Sequence, residues 1–238
     1  MPNPYFKFKQ FTIYHDKCAM KVGTDGVLLG AWTNVGDSTS LLDIGCGSGL
    51  IALMLAQRCN RESIVEAIDM DADAVMQAQI NAEKSPFNNV NIHHYSLQDF
   101  VEKTTKRYDC IVSNPPFFIS SLKSPIAQRS LARHNDSLSA KDLLLLSKSL
   151  LSEQGKLSII YPHQEKEYLL KLAELHNLNP IRITNVYPTP KSLPKRILLE
   201  LSTQYTVAQE TDIVIEKERH IYTNEFKRLT EDFYLEKP

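Results

Sequence analysis

The stretch from residue 40 to residue 58 reads SLLDIGCGSGLIALMLAQR. Its first part, Ser40 to Ile44, is a short apolar run with one acidic residue, which predicts a buried β-strand. Glycines at alternate positions from Gly45 to Gly49 predict a tight turn, and the apolar run from Leu50 to Arg58 predicts a helix. A strand, a glycine-rich turn and a helix in this order form the first βα unit of a ligand-binding parallel sheet.

Strands and helices continue to alternate along the chain. Further strands are predicted at 63–68, 90–95, 108–112, 155–161, 181–187 and 196–201, and helices at 27–32, 71–84, 139–151 and 164–176. This alternation predicts an α/β fold, with a mostly parallel, doubly wound sheet and helices on both faces. The last two strands are joined by a loop too short for a crossover helix, so we expect them to be antiparallel. A strand and a terminal helix are predicted after about residue 212.

Length and composition are those of one globular domain: 238 residues, 42% hydrophobic and 23% charged. No stretch approaches the roughly 18 apolar residues of a membrane span, and the first residues lack the apolar core of a signal peptide. The four cysteines form no CxxC pair, which disfavours zinc sites and disulfides. We therefore expect a cytoplasmic protein without a metal or a membrane partner, and a monomer is favoured.

The net charge is −1, but the charges are unevenly distributed. Acidic residues are absent from 110–135 and again from 177–199, whereas cationic residues are present in both stretches. Cationic segments beside a binding site suit a polyanionic substrate, although two solvated loops would have the same composition. The candidate residues for contacting such a substrate are Lys123, Arg129, Arg133, Lys191, Lys195 and Arg196.

The apolar run Tyr108 to Val112 is followed by Ser113-Asn114-Pro115-Pro116-Phe117. Two consecutive prolines cannot continue a strand, because neither has an N–H group for the ladder. The strand therefore ends at Asn114, and the carboxyl end of such a strand is where an open α/β sheet binds its ligands. The alternative is a stiff turn with a core phenylalanine.

Three acidic residues also follow predicted strand ends or precede the glycine turn. Asp43 would repel a pyrophosphate and suits a cationic group, such as the amino group of S-adenosylmethionine. The glycine spacing G-x-G-x-G also differs from the dinucleotide fingerprint G-x-G-x-x-G. Asp69 is placed to accept hydrogen bonds from ribose hydroxyls, unless it caps a helix, a role that suits Asp71 better. Asp99 is placed to accept from an adenine amino group, with Leu97 or Phe100 against the ring; the alternative is an exposed loop acid.

Residues 42–49 and 114–117 together resemble the class I S-adenosylmethionine-dependent amino-methyltransferases. Residues 21–32, KVGTDGVLLGAW, look like the N-terminal signature of the tRNA1(Val) (adenine(37)-N6)-methyltransferase family, and the ending around Phe226 to Tyr234 is similar too. The resemblance implies a Rossmann-like, seven-stranded sheet whose last strand is antiparallel. It divides one methyltransferase domain, 1–238, into N-terminal strands with a cofactor-covering segment (1–35), a core (36–202) and a C-terminal extension (203–238).

The resemblance also implies site residues. Cofactor contacts are expected at Thr24, Asp25, Gly45, Cys46, Gly47, Asp69 and Asp99. Asp43, from its position before the glycine turn, and Asn114 are expected to complete the cofactor site. The acceptor motif is Asn114, Pro115, Pro116 and Phe117. No metal ligand is expected.

The function that the family implies is methyl transfer from S-adenosylmethionine to N6 of adenine 37 in the anticodon loop of tRNA1(Val). Three other acceptors remain open: the N2 amine of guanine in rRNA, N6 of adenine in DNA, and the side-chain amide of glutamine in a protein. A non-catalytic cofactor-binding scaffold is a further alternative, and a nicotinamide dehydrogenase is disfavoured by the glycine spacing.

Overall fold

A computed structural model describes residues 3–16, 21–116 and 138–235. Four residues of the expected site, Phe117, Lys123, Arg129 and Arg133, lie outside these ranges. The strands are β1 (Tyr5–Lys7), β2 (Thr12–Tyr14), β3 (Ser40–Ile44), β4 (Ile64–Asp69), β5 (Val90–His94), β6 (Tyr108–Ser113), β7 (Leu151–Pro162), β8 (Asn179–Tyr187), β9 (Arg196–Ser202), β10 (Gln209–Val214), β11 (Glu216–Glu218) and β12 (Ile221–Tyr222). The helices are α1 (Thr24–Trp32), α2 (Leu50–Arg58), α3 (Ala72–Glu83), α4 (Leu97–Lys103), α5 (Ala140–Leu150), α6 (Lys166–Leu175) and α7 (Asn224–Thr230).

The central sheet has the strand order β10-β8-β9-β7-β6-β3-β4-β5. Strand β9 is antiparallel to both of its neighbours, β7 and β8, and the other pairs are parallel. The α/β fold with its mostly parallel sheet and antiparallel β9 is therefore confirmed. The strand order reverses between β3 and β6, and a crevice that can hold a ligand forms at such a reversal.

Over the described residues the sheet has eight strands and not the seven implied by the resemblance. Strand β10 adds to the outer edge of β8, in parallel, and is paired from Gln209 opposite Arg182 to Val214 opposite Tyr187. The sequence predicts a strand in this region but not its membership of the main sheet, because register is set by tertiary packing. In β10 only Ile213 is buried, against the core, which leaves a weak hydrophobic signal.

Helix α1 begins at Thr24, three residues before the predicted start at Val27. Residues 26–32 are all buried, because α1 packs between α2 and the core on one face of the sheet. At the end of the helix, Trp32 donates its ring N–H to Thr184 Oγ1 at 3.0 Å. The Arg182 guanidinium stacks 3.6 Å from the centre of the Trp32 ring and also binds Glu200. Arg182 thus belongs to the packing of α1, although it lies in the acid-free stretch 177–199.

None of the helices within the described ranges combines the length and apolar character that a membrane crossing requires.

Replacing Trp32 by phenylalanine tests how α1 is attached to the sheet. The variant loses the hydrogen bond to Thr184 and weakens the stack with Arg182, so we expect the free energy of unfolding to fall by about 1–3 kcal/mol. Urea denaturation monitored by far-UV circular dichroism measures the change. Tyr205→Phe, at a position 82% exposed, is the control and should leave the midpoint unchanged. An unaltered midpoint for Trp32→Phe would show that neither contact stabilises the fold.

Candidate active site

Two strand ends form the centre of the candidate site. Ile44, the last residue of β3, lies opposite Ser113, the last residue of β6. The buried Ser113 hydroxyl donates to the Ile44 carbonyl at 2.9 Å, which joins the two strands where both end. The glycine turn at Gly45 and the turn at Asn114 therefore start side by side, on the edge where the strand order reverses.

The glycine turn leaves open space above its backbone. Gly45 and Gly47 have φ values of +72° and +55°, and a Cβ atom built on either would meet nothing within 4 Å. Gly49, with φ of +80°, differs, because its Cβ would lie 3.2 Å from the Ala78 Cβ. Gly49 thus serves close packing against α3, whereas Gly45 and Gly47 leave room for a ligand to approach the backbone.

Backbone hydrogen bonds hold this turn against the end of β4. The N–H groups of Gly45 and Cys46 both donate to the Ile68 carbonyl, at 2.9 and 3.0 Å. The Cys46 side chain is buried under the turn. Helix α2 then starts after Gly49, with no side-chain cap at its N-terminus. The first turn of α2 is a favourable place for a polar ligand group, since its N–H groups have few partners within the helix.

Asp43 is fully buried one residue before the end of β3. Its Oδ2 accepts from the Ala52 N–H at 3.0 Å, and its Oδ1 has no hydrogen-bond partner among the described residues. Burial raises the pKa of Asp43 to about 7, the Ala52 hydrogen bond opposes this rise, and the nearby Asp69 carboxylate adds to it. A buried carboxylate with one unsatisfied oxygen fits a ligand that brings a cationic donor, such as the amino group of S-adenosylmethionine.

Asp69 ends β4 beside the glycine turn. Its Oδ2 accepts from the Gly47 N–H at 2.8 Å, and its Oδ1 accepts from the Asp71 N–H at 2.9 Å. The helix cap is Asp71, whose side chain accepts from the Asp73 N–H at the start of α3. An ionised carboxylate has about four acceptor sites, so Asp69 retains capacity for two ribose hydroxyls.

Asp99 lies in the first turn of α4 and not in a loop. Its Oδ2 accepts from the Ser96 hydroxyl at 2.7 Å, while its own N–H donates to Ser96 Oγ, so the two residues cap the helix together. The Asp99 side chain is exposed, on the element that follows β5. Leu97 and Phe100, which we expect against an adenine ring, are both packed in the core and only 4% and 6% exposed, so they offer little surface to a ligand.

Asn114 is half-buried, Pro115 is buried and Pro116 is exposed. No described residue hydrogen-bonds to the Asn114 side chain, whose amide nitrogen lies 3.9 Å from a Cβ built on Gly26. The first turn of α1, with Thr24 and Asp25, therefore lies beside the acceptor turn. The expected contacts from residues 42–69, from α1 and from Asn114 thus meet at one edge of the sheet.

The remaining cationic candidates lie at the same edge, two on the loop between β8 and β9 and Arg196 as the first residue of β9. Lys191 and Lys195 are exposed there. Arg196 is different, because its Nε donates to Asp25 Oδ2 at 2.8 Å.

Sequence reasoning missed Asn81, which connects the glycine turn to the N-terminal hairpin. The side chain is fully buried, donates to the carbonyls of Ser48 and Tyr14 at 2.8 Å each, and accepts from the Tyr14 N–H. The sequence does contain a signal for this role: Asn81 is an amide on the apolar face of α3, next to Ala78 and Ala82. A buried amide needs hydrogen-bond partners, so its position predicts contacts with other elements.

Within the described ranges, no group of three or more His, Cys, Asp or Glu side chains is placed to hold a metal ion.

The raised pKa of Asp43 predicts how the ligand-free protein responds to pH. Between about pH 4 and pH 7 the folded protein keeps Asp43 protonated while the unfolded chain ionises it, so stability falls as pH rises through this window. A shift of roughly 3 pKa units corresponds to about 4 kcal/mol at most. Asp43→Asn should remove this loss and be more stable than the wild type at pH 8, but not at pH 4.

Urea denaturation of both proteins at the two pH values gives the comparison. Asp37→Asn, at an exposed position, controls for the loss of one charge. If the free energies of unfolding of the wild type and Asp43→Asn differed equally at both pH values, the raised pKa of Asp43 would be contradicted.

Comparison with known proteins agrees with this geometry. The profile of the methyltransferase small domain family matches residues 22–185. A tRNA1(Val) (adenine(37)-N6)-methyltransferase of Parabacteroides distasonis is 49% identical over 237 residues, which is 99% of each chain. The enzyme of the same name from Trichodesmium erythraeum is 47% identical over 97% of each chain.

A solved structure supports the fold. The crystal structure of a predicted O-methyltransferase from Agrobacterium tumefaciens superposes with a TM-score of 0.69, at 16% identity, over 88% of this chain and 96% of that chain. At this identity the likeness concerns the fold alone. The full-length match to the curated relatives goes further: the chain belongs to the tRNA1(Val) (adenine(37)-N6)-methyltransferase family, within the methyltransferase small domain family.

Proposed function

We propose that this protein is an S-adenosylmethionine-dependent methyltransferase that acts on N6 of adenine 37 in the anticodon loop of tRNA1(Val). The observation that supports it most directly is the pairing of Ile44 with Ser113, which sets a turn suited to a methyl donor beside a turn suited to an amine. Relatives that bear the name of this activity match over 97–99% of the chain.

Bound S-adenosylmethionine supplies an electrophilic methyl group on a positively charged sulfur. The chain would hold it with Asp43 near its amino group, Asp69 on its ribose and Asp99 on its adenine. The backbone of Gly45, Cys46 and Gly47, with Thr24 and Asp25 of α1, would complete the site. Ionisation of Asp43 on binding a cation follows from its raised pKa, so binding should release a proton near pH 7.

The acceptor turn would orient the amine. The exocyclic nitrogen of adenine is a weak nucleophile, because its lone pair is delocalised into the ring. The Asn114 side-chain oxygen and the Pro115 carbonyl would accept hydrogen bonds from the two N–H groups of this amine. The nitrogen lone pair would then turn out of the ring plane towards the methyl group. Alignment and exclusion of water then provide most of the rate enhancement, and no strong general base is needed.

The target base has to leave its stack to reach this turn. An anticodon loop lowers that cost, since its bases are unpaired. Phe117, which lies outside the described residues, would stack on the base, a contact that contributes about 1–3 kcal/mol in single-stranded nucleic acid binding.

The β8–β9 loop would hold the RNA backbone. Within it, Ser192 exchanges hydrogen bonds with Thr189, and the Lys195 N–H donates to the Val186 carbonyl at 2.8 Å, so the loop has a defined shape. Lys191 and Lys195 point outward from it together with Leu193, which is 79% exposed. Lysines so placed bind phosphates and orient the substrate without reading its sequence. Lys123, Arg129 and Arg133 are proposed for the same role on sequence grounds.

The acceptor assignment is tested with Asn114→Ala. Methyl transfer from labelled S-adenosylmethionine to tRNA lacking the modification should lose kcat by about 100-fold or more, because the amine is no longer oriented. Affinity for S-adenosylmethionine, measured by calorimetry, should change little. Asn88→Ala, at an exposed site, should behave as the wild type. Full activity of Asn114→Ala would overturn the role of this residue.

Mass spectrometry of nucleosides from treated tRNA identifies the acceptor in the same experiment. N6-methyladenosine at position 37 is expected. N2-methylguanosine, or methylation of DNA or protein glutamine but not tRNA, would instead support one of the other acceptors.

The lysines of the β8–β9 loop are tested together. The double variant Lys191→Ala, Lys195→Ala should raise KM for tRNA and reduce the slope of log KM against log salt by about two, since two phosphate contacts are lost. The value of kcat at saturating tRNA should stay the same. Arg107→Ala, an exposed cation just before β6 and thus at the opposite edge of the sheet, is the matched control. An unchanged KM and slope would leave this loop without a role in RNA binding.

A further inference from the structure

Arg196 has a backbone position that the sheet fixes on both sides. As the first residue of β9 it is paired with Pro162 of β7 and with Val186 of β8. The preceding residue, Lys195, accepts from the His163 N–H at 3.1 Å and donates to the Val186 carbonyl at 2.8 Å. A side chain on such an element is held more accurately than one on a loop.

The Arg196 side chain reaches α1, 171 residues earlier in the chain. Its Nε donates to Asp25 Oδ2 at 2.8 Å, and the two side chains are 33% and 28% exposed. Its Nη1 donates to the Lys195 carbonyl at 3.1 Å. The charge of Arg196 is thus partly neutralised by a carboxylate, which makes it a weaker phosphate ligand than its neighbour Lys195.

The turn that Arg196 holds is the one beside the reaction site. The residue before α1, Gly23, provides no side-chain cap. The ion pair of Asp25 with Arg196 therefore holds the first turn of the helix from its side. A Cβ built on Gly26, the residue after Asp25, would lie 3.0 Å from Leu50 Cδ2 and 3.9 Å from Asn114 Nδ2. This turn therefore packs against both the start of α2 and the acceptor amide.

We propose that Arg196 is a positioning residue that acts through Asp25, holding the first turn of α1 against the donor and acceptor turns, and that it is not an RNA ligand. An ion pair that is about one-third exposed to solvent adds little to global stability. Its effect is on geometry, because a displacement of about 1 Å near reacting groups can cost on the order of 100-fold in rate. The kinetic part of this inference rests on the proposed function, and the structural part does not.

The structural part is tested by hydrogen exchange of the ligand-free protein. Arg196→Ala and Asp25→Asn should each accelerate exchange of the Val27 N–H, which closes the first turn of α1 by donating to the Gly23 carbonyl at 3.3 Å. The double variant should be no faster than either, because both substitutions remove the same contact. Glu210→Gln is the matched control, since it breaks the ion pair of Lys166 with Glu210 on β10 and leaves the pair of Arg196 with Asp25 intact. Exchange in α1 that stays at the wild-type rate in Arg196→Ala would overturn the inference, whatever the protein methylates.

The kinetic part is a contrast between neighbours. Arg196→Ala should lower kcat by about 10- to 100-fold and weaken S-adenosylmethionine binding several-fold, with KM for tRNA and its salt slope unchanged. Lys195→Ala should instead raise KM for tRNA and reduce its salt slope, with kcat and S-adenosylmethionine binding unchanged. Arg196→Lys should recover part of kcat, because lysine keeps the charge but not the planar donor geometry.

A rise in KM for tRNA with kcat and cofactor affinity intact would instead make Arg196 an RNA ligand. A wild-type protein that binds S-adenosylmethionine but transfers no methyl group to tRNA would refute the proposed function, and the exchange and cofactor-affinity results would still decide the role of Arg196.

Discussion

The candidate site depends on the pairing of β3 with β6 at the reversal of the strand order. The Ser113 hydroxyl donates to the Ile44 carbonyl at the last pair of this ladder, and the two functional turns diverge from that point. A shift of one residue in this register would turn the side chains of β6 to the other face of the sheet and move Asn114 away from Gly45. The fixed distance between donor and acceptor turns is thus a property of the parallel ladder.

Around this pair, buried and half-buried polar groups hold the backbone in place. Asp69 accepts from the turn through Gly47, and Asn81 binds the Ser48 carbonyl from the opposite side. Asp43 is the exception, because one of its oxygens is buried without a partner in the described part of the chain. Such an arrangement costs stability in the ligand-free protein and favours a cationic ligand, so stability is exchanged for binding at this position.

The sequence determined the fold class and the family. The glycine spacing, the acidic residue before it and the Asn-Pro-Pro turn are local features, and each demands a particular backbone that the structure contains. Three further elements also follow from neighbouring residues in the sequence: the cap of α3 by Asp71, the antiparallel β9 and the helix after Gly49. Short-range sterics and hydrogen bonding decide these elements, so a single sequence is sufficient to predict them.

Tertiary structure alone decided what depends on contacts between distant residues. The eighth strand joins the sheet through its register with β8, Leu97 and Phe100 face the core, and Arg196 meets Asp25 across most of the chain. In the sequence Arg196 is one cation beside Lys195, and the two cannot be told apart by composition. Packing separates them: Lys195 is exposed, whereas Arg196 is held by β7 and β8 with its guanidinium against a carboxylate of α1. Charge is a property of the sequence, but the partner of a charge is set by the fold.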